Sequence, residues 1–189
     1  MPTSETVRRK ANRGPAAGPE NRRALIAAAR EVYARDGLSA PFSAVAKRAG
    51  VGQGSLYRHF PDRTALAVAV YTENIADLES FAALDDSTLD GFLDRAADQA
   101  MVSTAFVELL NGDRHDPRVA SLGERYREVV SGLLTREQRA GHVGMHLTVE
   151  DVMLVTGMLA AEIARSDPDA REAVAERARA LFHLAFIPR

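Results

Sequence analysis

Within the seven positions 53–59 stand an amide, a hydroxyl, a phenol, a guanidinium and an imidazole: Gln53, Ser55, Tyr57, Arg58 and His59. Together they offer donors and acceptors matched to base edges and phosphate oxygens. Leu56 and Phe60 interrupt them at helical spacing, so one face of a short helix turns into a core and leaves the polar set outward. Gly52 and Gly54 allow a close backbone approach from outside, although the geometry of a turn is an alternative reason for both.

A polar face of this kind needs a rigid partner. Val45, Ala46, Ala49, Gly50 and Val51 supply one, with apolar positions for a first short helix over Phe42–Ala49 and a glycine-permissive turn before a second over Gln53–Phe60. Two short helices crossing steeply, locked by small and apolar residues, make a helix-turn-helix at residues 42–60. The segment lies in a basic part of the chain: residues 1–63 carry twelve Lys/Arg against five Asp/Glu, a formal +7, and residues 64–189 carry −9. Such asymmetry points to a polyanion-binding segment on an acidic body.

The run Gly50-Val51-Gly52-Gln53-Gly54-Ser55-Leu56-Tyr57-Arg58-His59-Phe60-Pro61-Asp62-Arg63-Thr64-Ala65-Leu66 closely resembles the DNA-binding signature of TetR/AcrR-family transcriptional regulators, with Leu-Tyr-x-His-Phe as its distinctive core. The resemblance is strong over residues 20–70 and extends beyond only in the number and order of helices. It implies that Gln53 and Ser55 approach bases, that Tyr57, His59 and Arg63 bind phosphates, and that Arg58 binds either. The chain departs from the family pattern at Ala40-Pro41-Phe42-Ser43, where a Thr-rich stretch is common; Ser43 is a candidate for the DNA backbone, with helix capping or a solvated hydroxyl as its alternative.

The rest of the chain reads as an all-α protein of about nine helices. Residues 1–18, with Arg8, Arg9, Lys10 and Arg13 among Pro and Gly, read as a disordered basic arm. Residues 19–63 form the DNA-binding domain, opened by a helix from Pro19 to Asp36, and residues 64–189 form an effector-binding and dimerisation domain. Asp62 caps a long helix to Ala82; Ser87 or Asp86 caps one to Leu110; Asp116-Pro117 opens one to Ala140; Thr148 with Asp151 opens one to Arg165; and Asp167-Pro168 opens the last, to Ile187. Candidate lining for an apolar effector pocket is Tyr71, Leu78, Phe81 and Met101, with Phe106, Tyr126, Met153 and Met158. Each is also a good core residue, and it is the resemblance that implies a pocket. The helix from Thr148 is apolar around most of its circumference, which calls for burial on two sides. Leu154, Met158 and Ala161 on it, with Val174, Ala178, Leu181, Phe182 and Ala185 on the last helix, are the expected homodimer face; burial within one chain is the alternative.

Other chemistries fit poorly. Gly50, Gly52 and Gly54 match neither the Walker nor the dinucleotide spacing and follow a helix rather than a strand. His142 and His146 stand four apart but in a Gly-containing connection with no third ligand, so no metal and no cofactor is expected. No Gly-x-Ser-x-Gly elbow or clustered carboxylates suggest an enzyme. The chain has no cysteine, its basic start has no apolar signal region, and the run Val152–Ala164 is too short for a membrane span, so a cytoplasmic protein, on the nucleoid when DNA-bound, is expected. The reading is a dimeric regulator, acting as a repressor, that leaves a palindromic, double-stranded operator when a small apolar effector binds. Two alternatives stand beside it: an architectural DNA-binding protein with no effector, and a helical enzyme or carrier with an accessory helix-turn-helix.

Overall fold

The structure, a computed structural model, describes residues 18–112 and 115–188. The expected arm over residues 1–18 lies, but for Gly18, outside the described residues. Nine α-helices and no strand occur among the described residues: α1 (Gly18–Asp36), α2 (Phe42–Ala49), α3 (Gln53–His59), α4 (Arg63–Ala82), α5 (Leu89–Val102), α6 (Ala105–Gly112), α7 (Pro117–Arg139), α8 (Val149–Arg165) and α9 (Arg171–Phe186).

Helices α1, α2 and α3 pack on one another around Leu25, Ala29, Tyr33, Val45, Ala46, Leu56 and Phe60, and α4 leaves this unit to pack along α7. The same core runs on through Tyr71, Ile75, Leu78, Phe92, Val130, Leu133 and Val152, so the two halves share apolar packing along α4. A smaller cluster, Ala97, Ala100, Leu159, Ile163 and Ala175, ties α5 to α8 and α9.

Several ends follow the local chemistry of the sequence. Gly37 and Gly50 take positive φ, 72° and 66°, and close α1 and α2 by hydrogen bonds from their amides to Tyr33 O and to Ala46 and Lys47 O. Asp62 accepts from Ala65 N at the start of α4, Asp116 from Arg118 N at the start of α7, and Thr148 and Asp151 form a reciprocal capping box on α8. Before α2, Pro41 occupies the cap position and makes no side-chain cap bond, which leaves Ser43 exposed in the first turn.

Three boundaries differ from expectation. The helix read from Ser87 to Leu110 is two helices, because Ser103 turns to an extended conformation (φ −146°, ψ 103°) and spends its hydroxyl on Tyr71 Oη at 3.0 Å. Its cap is Thr88, not Ser87 or Asp86; Ser87 is buried and donates back to Ala82 O and Leu84 O. The last helix begins at Arg171, after a single 3-10 turn over Pro168–Ala170.

Candidate nucleic-acid interface

Helix α3 presents Gln53, Gly54, Tyr57 and Arg58 to solvent, while Leu56 is fully buried beneath them. Tyr57 is 55% exposed, yet its ring is braced edge-on against Phe42 of α2 at 5.3 Å, which fixes the direction of its hydroxyl. His59 is half-buried and tilted against Phe60. Ser55 departs from the expected outward set: its Oγ is enclosed and has no hydrogen-bond partner among the described residues. Arg63 also stands apart, since its guanidinium donates to Leu38 O at 2.8 Å and is partly buried there.

The glycines of this helix are informative. Gly52 and Gly54 have negative φ, and a Cβ added at either would meet nothing within 4 Å. Neither a positive φ nor packing within the chain therefore requires glycine at these positions, and at Gly54, inside α3, glycine costs about 1 kcal/mol relative to alanine. Both glycines are exposed, as are Gln53 and Tyr57.

Two ties reach the helix-turn-helix unit from α6 and α7. Glu108 of α6 accepts the Leu38 amide proton at 2.9 Å, so that both backbone groups of Leu38 are held by side chains, one from α6 and one from α4. Arg118 of α7 reaches both carboxylate oxygens of Asp62 at 3.1 Å while also gripping Asp116. Hydrogen bonding to the Arg118 side chain, and then to its backbone amide, holds the Asp116 carboxyl down at about 2.

Between α4, α5, α6, α7 and α8 lies a cavity of about 230 Å³. Of the expected lining, Leu78, Phe106, Tyr126 and Met153 surround it, joined by small residues at Ala96, Ala100, Gly123, Gly157 and Ala160. The other four are elsewhere. Tyr71 stands behind Phe106, stacked on it at 4.6 Å; Phe81 lies against Gly91 and under Arg95; and Met101 packs on the smaller core cluster. Met158 is 61% exposed on the outside of α8.

That outer side of α8 continues onto α9. Leu154 and Leu181 are 62% and 56% exposed, Ala185 is exposed, and Ala161, Val174, Ala178 and Phe182 are half-buried beside a groove between the two helices. Leu184 and Ile187 add exposed apolar surface that sequence reasoning did not single out. His142 and His146 do not converge: His142 meets Glu137, and His146 Nε2 donates to Ala185 O.

Residues 25–70 match the family model for bacterial regulatory proteins of the tetR family, and residues 86–182, more than half of the chain, match the model for the C-terminal domain of SbtR-like transcriptional regulators. The chain belongs to the TetR family. TetR regulators are non-enzymatic, DNA-binding, dimeric proteins that respond to small molecules. Solved TetR structures share the fold. The TetR transcriptional regulator SCO0520 from Streptomyces coelicolor is 26% identical with a TM-score of 0.65, over 88% of this chain and 98% of that one. A TetR regulatory protein from Mycobacterium vanbaalenii is 22% identical with a TM-score of 0.62, over 91% and 98%. Regulatory protein TetR from Rhodobacter sphaeroides is 19% identical with a TM-score of 0.65, over 87% and 98%. A search of curated proteins finds no significant match.

Within this TetR frame, three residues matter that sequence reasoning missed. Glu108 and Arg118 carry ties from α6 and α7 to the DNA-binding unit, and Arg136 donates to Ala82 O, Leu84 O and Ser87 O, satisfying carbonyls at the end of α4 and in the loop to α5. All three reach partners 49 to 70 positions away, so no local spacing marks them. No helix among the described residues is long and apolar enough to cross a membrane.

Proposed function

We propose that the protein is a repressor that, as a homodimer, seats α3 of each protomer in successive major grooves of a palindromic operator and is released when a small apolar effector enters the cavity. In this reading residues 19–63 are the DNA-binding domain, residues 64–189 hold the effector and the dimer face, and the protein works in the cytoplasm on nucleoid DNA. Gln53 reads bases, Gly54 lets the backbone close on the duplex, and Tyr57, Arg58, His59 and Ser43 hold phosphates. Ser55 and Arg63 serve the framework of the unit.

The observation that carries the proposal is that the helices walling the cavity are also those that grip the DNA-binding unit. Phe106 lines the cavity from α6, and Glu108, two residues on, holds Leu38; Leu78 lines it from α4, whose first residue, Arg63, holds the same Leu38. A molecule that displaces α6 or tilts α4 therefore acts on the loop between α1 and α2 and changes the spacing of the two recognition helices. A hundredfold loss of operator affinity requires about 2.7 kcal/mol of effector preference for the released state, within common allosteric coupling.

The test is a screen for compounds that raise the thermal transition of the dimer, followed by operator titration with and without each. Compounds that bind in the cavity and weaken operator binding support the proposal. Equal operator affinities for every cavity binder would remove the switch and leave an architectural DNA-binding protein.

A further inference from the structure

The cations of the DNA-binding unit fall into two groups. Arg30 donates to Glu73, Arg35 to Asp36 and Arg48 to Glu31, so these three are neutralised within the chain. Arg22, Arg23, Lys47 and Arg58 are exposed, and none of them makes a hydrogen bond or ion pair among the described residues.

Arg22 differs from the other three in being held. Its guanidinium carbon stands over the Phe60 ring, 5.3 Å from the centre, and Phe60, 2% exposed, is fixed in the core at the C-cap of α3. A guanidinium over an aromatic face is attracted by the ring's quadrupole, so its position is set before any ligand arrives. Its N–H donors lie in its own plane and stay available, which makes it a prepared fork for an oxyanion such as phosphate. The site is also well placed. Phe60 directly follows His59, whose ring lies 6.4 Å from the same ring, so a cation from α1 is brought to the C-terminal end of the recognition helix.

Resting on the reading of α3 as the recognition helix, we infer that Arg22 is a phosphate ligand that extends the DNA interface from α2 and α3 onto the start of α1, beside His59. Arg30, Arg35 and Arg48, already paired, take no part. A phosphate contact positions the protein and carries no sequence information, so losing it weakens every duplex alike.

Anisotropy titrations of the full-length protein over a range of salt concentrations test the inference. The probes are two labelled duplexes of about 30 base pairs, long enough for two half-sites: one that the wild type enriches from a random pool and one of mixed sequence. Arg22→Gln keeps a long side chain beside Phe60 and removes the charge. It weakens both duplexes alike by at least about tenfold, makes the fall of log affinity with log salt shallower by about one per protomer, and leaves the protein folded. Arg22→Lys restores the salt dependence but not the full affinity, because an ammonium lacks the fork. Arg35→Gln removes an equal charge from the same helix and changes neither quantity. A wild-type salt dependence in Arg22→Gln beside a shallower one in Arg58→Gln overturns the inference and leaves α3 on the DNA; wild-type salt dependence in both variants removes α3 as well. A loss in Arg35→Gln equal to that in Arg22→Gln also overturns it, because net charge alone then sets the affinity.

Discussion

Glu108 on α6 accepts the amide proton of Leu38, 70 positions earlier in the chain, at 2.9 Å. The carboxylate fits there because residue 37 is a glycine with φ +72°; a Cβ at that position would come within 3.2 Å of Glu108 Oε1. The cavity and the helix-turn-helix are thus joined by a bond that a side-chain change removes without touching either site. Glu108→Ala leaves effector affinity within about twofold but lowers the ratio of operator affinities with and without effector by about fivefold, equivalent to about 1 kcal/mol. Anisotropy titrations of a labelled operator in both conditions read the ratio. An unchanged ratio in a folded variant removes this bond from the route.

Gly54 gives a prediction of opposite signs. Nothing within the chain opposes a methyl group there, and alanine favours the helix, so Gly54→Ala raises the stability of the free protein by up to about 1 kcal/mol. Its operator affinity falls, because the methyl group stands where the duplex approaches. Thermal melts and operator titration on the same sample check both. A variant that binds as tightly as wild type would place Gly54 away from DNA.

The outer face of α8 and α9 is tested by Leu181→Glu. Leu181 is more than half exposed in the single chain, so a charge there does not unfold the protomer, whereas it places an unpaired ion in the proposed interface. Sedimentation of the wild type shows a dimer at micromolar concentration and of the variant a folded monomer. A dimeric variant moves the interface to another surface.

Acid acts on the tie at the foot of α7. The folded Asp116 carboxyl is held at about 2, below the ordinary aspartate value of about 4, so its contribution is present above that value and is lost as pH falls toward 2. Asp116→Asn keeps a capping side chain but removes the charge. It melts below wild type at neutral pH, and the gap narrows as pH falls from about 4 toward 2. A gap independent of pH would show that the cap alone, and not the ion pair with Arg118, sets the stability of this corner.

What the sequence made legible was local. The helix ending at Asp36, the glycine turn after Ala49, and the caps at Asp62, Asp116 and Thr148 act within a few residues, and each appears in the structure where spacing puts it. The break at Ser103 was not legible, because it depends on Tyr71 arriving from α4. The outward reading of Ser55 failed for a related reason: helical spacing gives the direction of a Cα–Cβ bond but not what the neighbouring helices enclose. Met158 and Tyr71 show the same limit for the cavity. Both have the right residue type, yet one lies outside the bundle and the other one layer behind the lining.

The central claim is that α3 reads an inverted repeat, and selection of bound sequences from a pool of random duplexes tests it most directly. Wild-type protein enriches a palindrome whose half-sites lie about one helical turn apart or a multiple of it, and Gln53→Ala enriches the same palindrome with relaxed preference at one position in each half. Enrichment of no repeat by the wild type, or an identical preference in Gln53→Ala at equal stability, would contradict the account.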